Sequence, residues 1–308
     1  MSLHQLRSVT VGVPDPGPVA AYYAEFGLTR DDDRNLSTVD GGRQLTLEPS
    51  ATRRLVEMAV AVDDVADLDR ARGALAAAGY ETTTGEDRLS SVEAVTGVRV
   101  VLEIAARLDQ AAAERKPVNG PGRTERPGRR ADAILRTSPV RPRRLGHVVI
   151  TTTDLEVTSR YFTDLIGLKV SDRIGSVGRF LRCSTDHHNL LVLQAPSVYL
   201  HHTAWQVDDV DEVGRGAMAM LAEHPERHVW GLGRHHAGAN YFWYLRDPAG
   251  NYSEYYADLD VIPEDAEWTP ESHDGHLGLY SWGPPPPASF LQPEDQIPLV
   301  DVVGRVDA

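Results

Sequence analysis

The sequence predicts an α+β protein built from four βαβββ units, two per half, followed by a C-terminal tail. Three observations predict it. Leu6–Leu28 (LRSVTVGVPDPGPVAAYYAEFGL) and Leu145–Leu168 (LGHVVITTTDLEVTSRYFTDLIGL) share one pattern. Each reads as a strand, a polar turn, and a helix with paired aromatics that stops at Gly-Leu. Met58–Tyr80 and Thr203–Leu221 repeat a second pattern, a strand, a VDDV step and a helix. Between the halves lies RKPVNGPGRTERPGRR (Arg115–Arg130), a linker composition.

These signals divide the chain into residues 1–105, a linker over 106–144, a second half over 145–260 and a tail over 261–308. In both VDDV steps an Asp is placed to cap the helix and to favour its positive N-terminal end. The linker has room for a short helix at Asp109–Glu114. In the tail, the prolines of WGPPPPASF (Trp282–Phe290) form an extended rigid segment. With Leu277, Tyr280, Trp282 and Phe290 nearby, the tail is expected to pack back on its own domain, with Trp268–Phe290 over or beside the cup mouth as a lid.

Composition narrows the function. A net charge of −14 argues against nucleic acid and against an anionic membrane surface as partners. No apolar run approaches the roughly 20 residues of a membrane span. The start, MSLHQLRSV, lacks the apolar stretch of a signal peptide. The one cysteine, Cys183, sits in the strand-like FLRCS and reads as a packed core residue, with a reducing cytoplasm as the expected compartment. Nine of the twelve histidines fall between His147 and His236. Histidine chemistry therefore belongs to the second half.

Gly233–Tyr256 reads as a loop, a strand at Tyr241–Leu245, a turn at Asp247–Gly250 and a strand at Asn251–Tyr256. On the last strand Tyr252, Glu254 and Tyr256 share a face, and a Glu buried among aromatics needs a partner. His147 lies on the first strand of the second half and His202 on the strand LHHTAWQV. If two βαβββ units close into one cup, His147, His202 and Glu254 converge there. Two imidazoles and a carboxylate form the facial triad of non-haem Fe(II) oxygenases.

With GHVVI (Gly146–Ile150), DHHNL (Asp186–Leu190), LHHTAWQV (Leu200–Val207), GRHH (Gly233–His236) and YLRDPAGNYSEYY (Tyr244–Tyr256), the chain resembles the type I extradiol catechol dioxygenases of the vicinal oxygen chelate superfamily. The resemblance implies two paired barrel-like domains, with iron bound only in the second. It implies His147, His202 and Glu254 as ligands of Fe(II), or of Mn(II), and His187 as the acid–base histidine beside O₂. It implies His235 and Tyr244 on the catechol oxygens, with Trp205, Trp243 and Phe180 suggesting an aromatic-friendly pocket. A catechol and O₂ are the implied substrates, and a homo-oligomer the implied assembly. Within each HH pair one ring is expected to face away. In the first half Ser8 and Glu57 stand where His147 and His202 stand. Two rivals stay open: another metalloenzyme on this scaffold (hydroxyphenylpyruvate dioxygenase-like or glyoxalase-like), and a drug-binding resistance protein without chemistry.

Overall fold

A computed structural model describes residues 3–264, 266–291 and 293. The first half runs β1 (Leu3–Val13), α1 (Pro16–Glu25), β2 (Thr29–Arg30), β3 (Asn35–Thr38), β4 (Gly42–Pro49), then β5 (Arg54–Val62), α2 (Val65–Ala77), β6 (Thr83–Thr84), β7 (Arg88–Val92) and β8 (Arg99–Ile104). After a connection containing α3 (Asp132–Leu135), the second half repeats the plan. It runs β9 (Arg144–Thr152), α4 (Leu155–Arg160) with a π-helical turn (Tyr161–Ile166), β10 (Lys169–Ile174), β11 (Gly178–Arg182) and β12 (Leu190–Gln194). The last unit is β13 (Leu200–Gln206), α5 (Val210–Leu221), β14 (His228–Arg234), β15 (Tyr241–Arg246) and β16 (Tyr252–Ala257). Beyond it lie β17 (Glu271–His273) and α6 (Ala288–Leu291).

The four units form two sheets of eight and nine strands. Local chemistry sets the helix limits. Asp64 accepts from the Asp67 N–H and Asp209 from the Glu212 N–H, each capping its helix. Gly27 and Gly167 take the left-handed conformation (φ 107° and 100°) that ends the paired-aromatic segments. No helix forms at 109–114; the short α3 lies further along. Residues 109–114 have no regular structure and are exposed apart from Gln110, whose side chain bonds Asp40 and Gln206. No helix of the described residues is long and apolar enough to cross a membrane.

Each half lends its first helical segment to the other. Phe26, at the end of α1, stacks on Tyr255 of β16 with ring centroids 3.7 Å apart. Tyr22 and Tyr23 of α1 hydrogen-bond Ser253 at 2.5 Å and Thr203 at 3.0 Å. In return Tyr161 bonds Ser91 of β7. One continuous apolar core therefore spans both halves.

The tail returns to the second half. β17 pairs with β10 in parallel, Trp268 donates to the Ser171 carbonyl, and Phe290 is buried. The remainder of the proposed tail, 294–308, lies outside the described residues.

Candidate metal centre

Strand register brings the ligand set together. In the larger sheet β16, β13 and β9 are adjacent, and Ala204 pairs with both His147 and Glu254. Cross-strand partners share a face, so His147, Ala204 and Glu254 form one row. The small Ala204 leaves the middle of that row open. His202, two residues earlier on β13, lies on the same face. The three ligand atoms lie within 4.8 Å of one another, and all three residues are buried. Nε2 of His147 is 3.1 Å and Nε2 of His202 is 3.4 Å from Glu254 Oε2.

The surroundings fit a divalent cation. Glu254 is fully buried, and no Lys or Arg pairs with it among the described residues. Burial and neighbouring imidazoles hold His202 well below its ordinary pKa, so that ring is neutral and cannot balance the carboxylate. Its tautomer follows from the next bonds. A carbonyl only accepts, so the Phe290 carbonyl takes the proton of His201 Nε2 at 2.8 Å. His201 Nδ1 is then a lone pair and accepts from His202 Nδ1–H at 2.7 Å. That leaves His202 Nε2 unprotonated, buried and without a hydrogen-bond partner, aimed at the carboxylate. A buried orphan lone pair beside an uncompensated carboxylate is what a metal satisfies. Asn240 Nδ2 donates to Glu254 Oε1 at 3.0 Å and orients the other oxygen.

A cavity with about 700 Å³ of atom-free space opens over this row. His188, His235 and Tyr244 stand on its polar side, and Val149, Ile174, Phe180, Leu191 and Phe290 contribute to its apolar wall. His235 Nδ1 bonds the Leu279 carbonyl, so its Nε2 accepts from the Tyr244 hydroxyl at 2.7 Å. The Tyr244 oxygen is thereby left as an acceptor. Burial, reinforced by Glu254, pushes its pKa well up and keeps it a neutral phenol. Burial lowers His235 as well, against the opposing pull of Glu254.

Three sequence expectations need correction. His187 does not reach the cavity; its ring turns outward, 3.1 Å from Asp172, and His188 lines the cavity with its ring centroid 4.3 Å from that of His147. Residues 184–189 are irregular, so strand alternation does not choose between the two rings. Trp205 and Trp243 point to the other face. Both pair with Tyr255, opposite in parity to Ala204 and Tyr244. Trp205 packs on Tyr23, and Trp243 donates to His228. Asn240 and the tail residue Leu291 escaped the sequence reading, because only the folded chain brings them to the site.

The first half keeps the scaffold without the ligands. By register, Ser8, Glu57 and Val101 take the places of His147, His202 and Glu254. Glu57 there meets Arg99 at 3.5 Å.

Residues 144–255 match the family described as the Glyoxalase/Bleomycin resistance protein/Dioxygenase superfamily. Metapyrocatechase 2 of Cupriavidus necator is 39% identical over 170 residues, covering 54% of this chain and 53% of the relative. An iron-dependent extradiol dioxygenase of Rhodococcus jostii is 29% identical over 139 residues, covering 40% and 46%. The chain thus spans about half the length of these curated relatives. The Mn(II)-bound glyoxalase of Novosphingobium aromaticivorans superposes with a TM-score of 0.73 at 24% identity, covering 94% of each chain. At that identity the likeness is one of fold, the vicinal oxygen chelate fold of paired βαβββ units. Over residues 144–255 the chain is thus similar to the Glyoxalase/Bleomycin resistance protein/Dioxygenase superfamily.

Proposed function

We propose that the chain is an Fe(II)-dependent extradiol dioxygenase that adds both atoms of O₂ to a catechol and opens the ring beside the diol. The observation that carries this reading is the composition of one cavity. His147 and His202 line its floor with the buried Glu254 beside them, and His188, His235, Tyr244 and an apolar wall complete it. The names of the Cupriavidus necator and Rhodococcus jostii relatives support the same chemistry. Bound Fe(II) would supply a Lewis-acid template with open positions for a chelating diol and for O₂.

The chain's own side chains divide the remaining work. The Tyr244 oxygen, its proton committed to His235, accepts a hydrogen bond from a catechol hydroxyl. His188 stands beside His147 and takes the acid–base role first given to His187. Burial, with His147 and its other imidazole neighbours, keeps His188 neutral. A neutral imidazole can accept a proton and later return it. Phe180, Ile174, Leu191 and Leu193 exclude water from the diol, and Leu279, Phe290 and Leu291 of the tail close the wall as a lid. Among the described residues no charged side chain lines that wall. The preferred substrates are therefore uncharged catechols with an apolar substituent, since a buried carboxylate would lack a partner.

The test is anaerobic reconstitution with Fe(II), then with Mn(II), followed by oxygen-electrode assays on alkyl-, aryl- and carboxyl-substituted catechols. One O₂ consumed per catechol with a coloured ring-opened product is expected, and His147→Ala, His202→Ala and Glu254→Ala should each lose the metal. Full metal loading with no oxygen uptake on any catechol would overturn the proposal and favour a glyoxalase-like activity.

A further inference from the structure

A hydrogen-bonded chain runs outward from the cavity behind His188. Nδ1 of His188 is 3.0 Å from Nδ1 of His187. Nε2 of His187 is 3.1 Å from Asp172 Oδ2, and the same oxygen is 3.0 Å from His273 Nε2. Asp172 Oδ1 accepts the Glu271 backbone N–H at 2.8 Å. All four side chains are buried, although they come from β10, the 184–189 loop and β17.

The protons in this chain can be placed by elimination. An ionised carboxylate only accepts, so His187 and His273 each present Nε2–H to Asp172. Burial pushes Asp172 up, but hydrogen bonds from His187 and His273 outweigh it and hold the carboxyl below its ordinary range. A singly protonated His187 with its proton at Nε2 carries a lone pair at Nδ1. The 3.0 Å contact is then a bond donated by His188 Nδ1–H. The remaining nitrogen of His188, Nε2, is an unprotonated acceptor on the side of the ring away from His187. His201 imposes the same tautomer on His202. The two HH pairs use one device, an outer imidazole that fixes the proton of the inner one.

We propose that Asp172, acting through His187, is a positioning residue that holds His188 in the Nδ1–H tautomer with Nε2 free as a base toward the cavity. The catalytic consequence rests on the dioxygenase reading; the tautomer does not. When a catechol hydroxyl gives its proton to His188 Nε2, the O–H bond breaks and an N–H bond forms. The Nδ1 proton passes to His187 Nδ1, and the positive charge settles beside the Asp172 carboxylate. His188 is left as the Nε2–H tautomer, the form that can return a proton. One chain thus turns the same atom from base to acid.

The informative variant is Asp172→Asn. Because the Glu271 N–H demands an acceptor, the new amide oxygen takes the Oδ1 position and its NH₂ faces His187 Nε2. His187 must then carry its proton on Nδ1, and His188 must move its own to Nε2. Long-range ¹H–¹⁵N spectra of ¹⁵N-histidine-labelled full-length protein, loaded with Zn(II) as a diamagnetic probe, read this directly. His187→Gln and His188→Gln variants assign the signals. Wild-type His188 is expected as Nδ1–H, and Asp172→Asn as Nε2–H. In the Fe(II) enzyme the same variant should lower kcat at least about tenfold, with metal content and KM within about twofold. A wild-type Nε2–H signal overturns the proposal even if the variant fails to fold. An unchanged tautomer in a folded Asp172→Asn variant overturns it too. The expected tautomers in a protein that consumes no O₂ with any catechol would instead overturn the dioxygenase reading alone.

Discussion

Gly146 precedes the ligand His147, and its missing side chain is filled by a neighbour. A Cβ added there would meet the Tyr256 hydroxyl, with ring atom Cε1 only 2.5 Å away. Ordinary carbon contacts need about 3.5–4.0 Å, so the ring would have to retreat by roughly 1–1.5 Å. It has little room to do so, being fully buried with its ring centroid 5.3 Å from that of His147. Gly146→Ala should therefore cost roughly 2–3 kcal/mol, the upper part of the range for overpacking a well-filled core. For a chain of this size that is a fall in Tm of about 4–12 °C. The strain falls on the strand carrying a ligand, so metal affinity should drop as well. Thermal unfolding with and without metal, and chelator competition, measure the two effects. Pairing the change with Tyr256→Leu should recover about 1 kcal/mol or more relative to additivity. A Tm within about 1 °C of wild type, or strict additivity with Tyr256→Leu, would refute the packing argument.

Other changes probe separate parts of the molecule. Phe26→Ala removes the ring stacked on Tyr255 and should cost about 3–5 kcal/mol in urea unfolding, although it lies in the half without ligands. Under the dioxygenase reading, His188→Phe should keep its metal and lower kcat by about 10²–10⁴-fold; equal turnover would remove His188 from acid–base chemistry. Cys183 is buried, and desolvation raises its pKa far above the ordinary thiol range. It should ignore a thiol reagent in the native state and react fully in denaturant, and native-state labelling at the rate of a free thiol would contradict that.

Sequence periodicity revealed the repeats, the Asp caps and the glycine stops because each is set within a few residues. It revealed strand membership but not which face each residue takes. Trp205 and Trp243 lie one step out of phase with the ligand row, and counting from His202 and Tyr244 would have placed them on the opposite face of the sheet. Counting could not have found His188, because residues 184–189 leave the strand pattern. Asn240 and Asp172 were hidden for another reason. Their partners Glu254, His187 and His273 lie 14, 15 and 101 residues away, and nothing local announces such pairings.

The C-terminal segment shows most clearly how distant sequence enters the site. Leu279, Phe290 and Leu291 line the cavity. The same segment also decides where protons sit. The Phe290 carbonyl holds the proton of His201 and so frees His202 Nε2 for a metal. The Leu279 carbonyl holds the proton of His235 and so turns the Tyr244 hydroxyl toward it. The Glu271 N–H and His273 anchor Asp172, which faces His187. Each imidazole bordering the cavity floor beyond His147 is thus connected, directly or through one or two side chains, to residues 271–290. A shift of this segment by the length of one hydrogen bond would change which nitrogens are bases, without moving a single ligand strand. Lining the cavity and bonding its imidazoles therefore fall to one segment of the chain.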